Sequence, residues 1–267
     1  MNQNELPVLG FGYCHLSAAP LRAEPGERSE MISQLLFGET LMVIEKHHSW
    51  RRIRCTFDNY EGWIDKKQFD EIAEAEFMRV AHLPNVMSNE LVQILFDLNG
   101  NRMFPLLIGS SLPGLAEQQL TIAGNVYSYE GSVVCPTNRI FPQQVIDTAH
   151  LYLHAPYLWG GRNPFGIDCS GFVQMVYKLC GIALMRDTNQ QATQGEVVNL
   201  HSESRPGDLA FFDNDEEQIT HVGILIDQNN IIHASGLVKI NQFDHFGIFE
   251  QLQKKYTHKL RIIKRIL

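Results

Sequence analysis

The stretch NPFGIDCSGFVQMVYKLCG, Asn163 to Gly181, constrains the chain more than any other. Phe172, Val173, Val176, Leu179 and Cys180 recur at i, i+1, i+4, i+7 and i+8, which is one apolar face of a helix. Gly181 supplies the stop, and Pro164 and Gly166 keep the approach non-helical. Cys169 therefore falls at or near the helix N-terminus, whereas Cys180 lies at the other end on the apolar stripe. A cysteine at a helix start is either a small buried residue or a nucleophile. The thiolate is the reactive form, and the unpaired N–H groups and macrodipole of a helix start favour it.

The flanking sequence sets the fold class. Residues 1–76 read as short alternating strands with frequent turns, as in ETLMVIEKHHSWRRIRCTFDNYEGWID, which predicts a small barrel or sandwich. Residues 77–137 repeat that flavour, with an Asn-Gly turn between two apolar runs and then LTIAGNVYSYEGSVV. From residue 138 the period changes. Pro142 opens a second helical pattern through Val145, Ile146, Ala149, Leu151 and Tyr152. Beyond Gly181, RDTNQQATQGEVV reads as a short polar helix. GDLAFFD, ITHVGILID, NIIHASG and LVKINQF then read as consecutive antiparallel strands. Helices followed by a run of strands predict an α+β domain over 138–267.

A chain of 267 residues accommodates roughly two or three such domains. With 22 basic and 30 acidic residues its net charge is −8, which argues against nucleic acid or an anionic membrane as partner. The N-terminus lacks Lys, Arg and an apolar core with a cleavage site, so it does not read as a signal peptide, and a cytoplasmic monomer is the expectation. The five cysteines are an odd number without a CxxC, against a disulfide framework or structural zinc. Cys14, Cys55, Cys135 and Cys180 read as buried thiols.

A thiol nucleophile needs a base and something to orient the base. His221 lies 52 residues beyond Cys169 in an otherwise apolar strand, and His233 lies 12 further on, across the DQNN turn. Adjacent antiparallel strands with arms of that length bring the two together. Singly, each reads as a satisfied core histidine; with a helix-start cysteine they read as one set. The other histidines read as surface or structural, with His47-His48 beside Trp50 a weak metal candidate.

Five motifs, YLWGGRNPFGIDCSGFVQMVYKLCGI, RDTNQQATQG, RPGDLAFF, HVGILI and IIHASG, occur in the order found in NlpC/p60-type cysteine peptidases, and residues 141–267 resemble that catalytic domain. The resemblance implies a papain-like core that needs no cofactor or metal. It also implies cleavage of γ-D-glutamyl–diamino-acid bonds, with Cys169 as nucleophile, His221 as base and then acid, and His233 orienting His221. LLFGETLMVIEKHHSWRRIRCTFDNYEGWI resembles a bacterial SH3-like domain, and 77–137 resembles a second one more weakly. Two such domains before the peptidase resemble the recycling branch, which releases L-Ala-γ-D-Glu from muropeptide-derived peptides. There the residues matching Asp168, Arg186, Asp187 and Thr188 surround the dipeptide, and Thr188 stands where serine is usual. Asp168, which opposes thiolate formation, is better suited to a substrate ammonium. Tyr60 and Glu39 are candidates for holding a free N-terminal amine, Ser170 is a further contact, and Trp159 lies at the site edge or packs in the core. Three other readings remain: an exported hydrolase of intact peptidoglycan with SH3-like wall anchors, a catalytically silent binding module, and a Cys169/His221/His233 metal site.

Overall fold

The computed structural model describes residues 6–136 and 140–267. It divides into two compact units, Met1–Pro136 and Thr137–Leu267. The first begins with strands β1 (Gly10–Tyr13), β2 (Ala18–Arg22), β3 (Met31–Leu36), β4 (Thr40–His47), β5 (Trp50–Cys55), β6 (Glu61–Asp65) and β7 (Asp70–Ile72). They form an antiparallel sheet in the order β3-β2-β6-β5-β4-β1-β7. Alternation places Leu41 and Val43 of β4 and Ile53 and Cys55 of β5 in one buried cluster.

Helix α1 (Glu74–Ala81) leads into β8 (Met87–Ser88), β9 (Val92–Asp97), β10 (Arg102–Leu107), β11 (Gln119–Ile122), β12 (Asn125–Ser128) and β13 (Val133–Val134). The expected Asn-Gly turn joins β9 to β10. These strands make a four-stranded sheet, β10-β9-β12-β11, and a two-stranded one, β13-β8. Leu95, Leu106 and Tyr127 share a core with Tyr13, Phe37 and Ile72, so one apolar cluster spans both segments of the unit. Cys14 and Cys55 are buried as expected; Cys135 is not. It follows the two-residue β13, beyond the last strand that the core covers.

In the second unit α2 (Pro142–Leu151) and the hairpin β14 (Arg162–Asn163) and β15 (Gly166–Ile167) precede α3 (Cys169–Leu179) and the short α4 (Thr188–Gln191). Then come β16 (Glu196–Val198), β17 (Leu209–Asp213), β18 (Ile219–Leu225), β19 (Asn230–Ser235), β20 (Leu237–Asp244), β21 (Gly247–Glu250) and β22 (Lys255–Arg265). Each of β17 to β22 pairs antiparallel with the next, and β22 returns to pair with β17. The result is a closed six-stranded barrel, with β16 added outside on β22. Closure depends on β21 and β22, which the strand pattern over 209–244 leaves unread.

Helix α3 packs on β18, β19 and α2. Every residue of it is buried, including Gln174 and Lys178, so the stripe of Phe172, Val173, Val176 and Leu179 is part of a helix covered on all sides.

Candidate active site

Cys169 is the first residue of α3, and Asp168 is its N-cap. Asp168 Oδ1 accepts from the Gly171 N–H at 2.6 Å, satisfying one of the donors that a helix start leaves open. Asp168 Oδ2 accepts from the Gly160 N–H at 2.8 Å. Arg186 completes the cap with two donations, Nη1 to Oδ1 at 3.1 Å and Nη2 to Oδ2 at 2.6 Å, and donates to Ser170 Oγ at 2.8 Å. Gly171 makes this geometry reachable. A Cβ there would lie 2.4 Å from the Gly161 carbonyl and 2.8 Å from Asp168 Oδ1. DCSG is thus a compact device: a capping carboxylate, the thiol, a hydroxyl for the arginine, and a residue with no side chain where the loop presses in.

The thiol faces the barrel. Cys169 Sγ is 4.0 Å from the Thr220 carbonyl and 3.9 Å from Thr188 Oγ1. Thr220 precedes His221 on β18, so the sulfur lies against the strand segment that carries the base. Burial pushes the Cys169 thiol up to about 11, and the Asp168 carboxylate adds to the rise; the Thr188 hydroxyl and backbone donors oppose it. The helix-terminal field contributes on the order of 0.3–1 kcal/mol, under one pKa unit. Desolvation is the larger effect, so the ionised thiol expected of a helix start is not the resting form here.

Strand pairing brings the histidines together. Ile224 faces Ile232 across β18 and β19, which sets Gly223 opposite His233 and His221 one diagonal step away on the same face. Gly223 is required: a Cβ would meet the His233 Cβ at 2.9 Å and Ile231 Cδ1 at 2.7 Å. His221 Nε2 and His233 Nδ1 are 2.8 Å apart, and His233 Nε2 is 3.0 Å from Asn241 Oδ1 on β20. An amide oxygen only accepts, so His233 carries its proton on Nε2. Its Nδ1 is then an acceptor, His221 holds its proton on Nε2, and the lone pair of His221 is on Nδ1. Burial holds His233 down to about 4 and His221 well below the ordinary range, so both rings rest neutral at pH 7.

Residues 154–261 match the NlpC/P60 family, and residues 21–69 match the bacterial dipeptidyl-peptidase SH3 domain. This chain carries an NlpC/P60 domain behind a bacterial dipeptidyl-peptidase SH3 domain. It is similar to the γ-D-glutamyl-L-lysine dipeptidyl-peptidase of Bacillus subtilis (strain 168), with 29% identity over 217 residues covering 76% of this chain and 71% of that one. It is also similar to dipeptidyl-peptidase 6 of Lysinibacillus sphaericus, at 27% identity over 260 residues covering 85% and 89%. The crystal structure of an NlpC/P60 family protein from Bacillus cereus ATCC 10987 superposes with a TM-score of 0.82 over 96% of this chain and 99% of that one, at 22% identity. The NlpC/P60 domain is that of a cysteine peptidase.

Around the NlpC/P60 site the other expected residues divide. Thr188 reaches the sulfur. Asp168, Ser170 and Arg186 are all buried in the cap. Five protein donors, Ser170 Oγ at 3.3 Å included, cover the roughly four lone-pair positions of the Asp168 carboxylate. The Asp168 carboxylate expected to meet an ammonium is thus already engaged by the helix start and by Arg186. Asp187 opens α4, its N–H donating to Gln190 Oε1 at 3.2 Å. Trp159 is largely exposed rather than packed in the core.

In the first unit, Glu39 is buried and accepts from the Leu36 N–H at 2.9 Å, not a solvated turn carboxylate. Tyr60 is half-buried on the turn before β6, packed against the first apolar cluster. His47 and His48 meet edge to face, 4.5 Å between centroids. Among the described residues, no three His, Cys, Asp or Glu side chains are grouped to hold a metal ion.

Two site residues escaped the sequence reading. His258 on β22 stacks on His221, centroids 4.2 Å apart at 29°, and so touches the expected base. Its only sequence signal lay in a strand the pattern did not reveal. Tyr157, inside the YLWGG motif, has its phenol pushed up to about 12 by burial and then by Cys169 and Asp168, which places a neutral O–H in the thiol's electrostatic surroundings.

Proposed function

We propose that the chain hydrolyses the γ-D-Glu–diamino-acid bond of muropeptide-derived peptides with a free N-terminal L-Ala, releasing L-Ala-γ-D-Glu, as a step of peptidoglycan recycling in the cytoplasm. The observation that carries this reading is the thiol at the start of α3, set against the Thr220 carbonyl, one residue before a histidine whose Nε2 meets His233 Nδ1 at 2.8 Å. The names of the relatives from Bacillus and Lysinibacillus support the bond, and the dipeptidyl-peptidase SH3 match supports the free-amine end of the substrate.

The neutral pair sets the order of events. As the sulfur approaches the γ-carbonyl, the thiol proton passes to His221 Nδ1 and a C–S bond forms. The Cys169 N–H and the Tyr157 phenol are donors suited to the developing oxyanion. His221 returns the proton to the leaving amine of the diamino acid, and the C–N bond breaks. Water, deprotonated by His221, then hydrolyses the thioester. Thr188, beside the sulfur, contacts the dipeptide; Asp187 and Trp159 line its approach, while Asp168, Ser170 and Arg186 hold the nucleophile in place.

Matched peptides test this. L-Ala-γ-D-Glu-meso-diaminopimelate and its N-acylated form are incubated with the protein and with Cys169→Ala, and products are read by mass spectrometry. Cleavage of the free-amine peptide alone, lost in Cys169→Ala, is the expected result. Equal cleavage of both peptides would favour a hydrolase of intact peptidoglycan, and activity in Cys169→Ala would remove the nucleophile assignment.

A further inference from the structure

The tautomer of the base rests on the amide of Asn241 pointing its oxygen, not its nitrogen, at His233. An amide is nearly symmetric in shape, so something must choose. Here the choice is made on the far side. Asn241 Nδ2 lies 3.3 Å from Glu250 Oε2 and 3.4 Å from the Phe249 carbonyl, and both of these only accept. A flipped amide would set its oxygen against two other oxygens and its NH₂ against His233 Nε2. Glu250 is itself fixed by Lys239, whose Nζ donates to Oε2 at 2.9 Å. Lys239 foremost, then the Leu252 N–H, keeps the Glu250 carboxyl below its usual range, so at neutral pH it has no proton to donate.

Strand pairing makes this chain of contacts. His233 faces Lys239 across β19 and β20, and Asn241, two residues on, shares the face of Lys239. Glu250 ends β21, the next strand round the barrel. The contacts run in the order Lys239, Glu250, Asn241, His233, His221.

We infer that Asn241 and Glu250 are positioning residues that set the proton of His221 on Nε2, so that Nδ1 is unprotonated before substrate arrives. They touch neither the sulfur nor the bond that is broken. Without the Asn241 oxygen, His233 can carry its proton on Nδ1. His221 Nε2 must then accept, and its proton moves to Nδ1, where it removes the base. The inference rests on the cysteine-peptidase reading but not on the identity of the peptide.

The test is long-range proton–nitrogen NMR of the resting protein with ¹⁵N-labelled histidine, paired with kinetics. The wild type should show His221 protonated on Nε2. Asn241→Leu should show His221 divided between tautomers, with kcat down about 10–100-fold and KM within about twofold. Glu250→Ala, at a partly exposed site, should give the same tautomer mixture in smaller degree, and decides the matter if Asn241→Leu does not fold. An unchanged His221 spectrum in whichever of these variants folds overturns the inference, whatever happens to activity. If the wild type fails to cleave γ-D-Glu peptides, the substrate assignment fails while the spectra still decide the inference.

Discussion

Two polar clusters flank Cys169 and treat charge in opposite ways. Behind the first turn of α3, Asp168 and Arg186 form a buried ion pair with side chains 6% and 1% exposed, every carboxylate lone pair occupied. Across the sulfur, on the barrel, His221 and His233 are buried without a charge, held in one proton arrangement by Asn241. The charged cluster holds a shape, since both partners are fully engaged and neither can change state cheaply. The neutral cluster can accept a proton and give it back. The site thus pairs its fixed charges with each other and leaves the proton to be carried by neutral rings.

The sharpest way to break that division is Arg186→Met. It leaves the Asp168 carboxylate buried beside the thiol without its cation, and should cost about 3–5 kcal/mol of stability in denaturant unfolding. Asp168→Asn with Arg186→Met should recover a good part of that loss, because no isolated charge remains. A single-variant cost as small as that of a surface pair would show that the cluster is not structural.

Acid tests the neutral side. His233 sits at about 4 when folded, against 6.5 ordinarily. Above pH 6.5 neither the folded nor the unfolded ring is protonated and His233 has no effect. Between 6.5 and 4 the unfolded chain takes up a proton that the folded one refuses, so stability falls as pH drops through that window and the His233 loss levels off below it. The loss is on the order of 3 kcal/mol. Urea unfolding at pH 7 and pH 4 measures it, and His233→Gln should show a correspondingly smaller drop.

The smallest effect is expected at Tyr157. Tyr157→Phe removes one oxyanion donor from an otherwise intact site, and kcat should fall about tenfold, roughly 1.4 kcal/mol, with unfolding unchanged. No change in kcat would leave oxyanion stabilisation to the backbone.

What the sequence made legible follows from period and spacing. Phe172 to Cys180 announced α3 and so placed Cys169 at its start; HVGILI and IIHASG announced β18 and β19, and Gly223 between the histidines is the gap that lets them meet. The barrel was not legible, because its closure is a pairing between β21 and β17's other neighbour, β22, and pairing partners leave no local pattern. His258 and Asn241 were missed for that reason: each acts on a residue one or more strands away. The state of the thiol was missed for another. A helix start is visible in a sequence, whereas the burial that outweighs it is known only when the walls are in place.

That burial has a consequence for handling the protein. A thiol that is covered and protonated is a poor target for peroxide and for disulfide exchange, both of which need an accessible thiolate. Cys169 is 4% exposed, whereas Cys135 lies in the open. In aerated buffer the first sulfur to be oxidised or cross-linked should be Cys135, far along the chain from the chemistry. A preparation that ages into disulfide-linked pairs through that residue can therefore remain fully active.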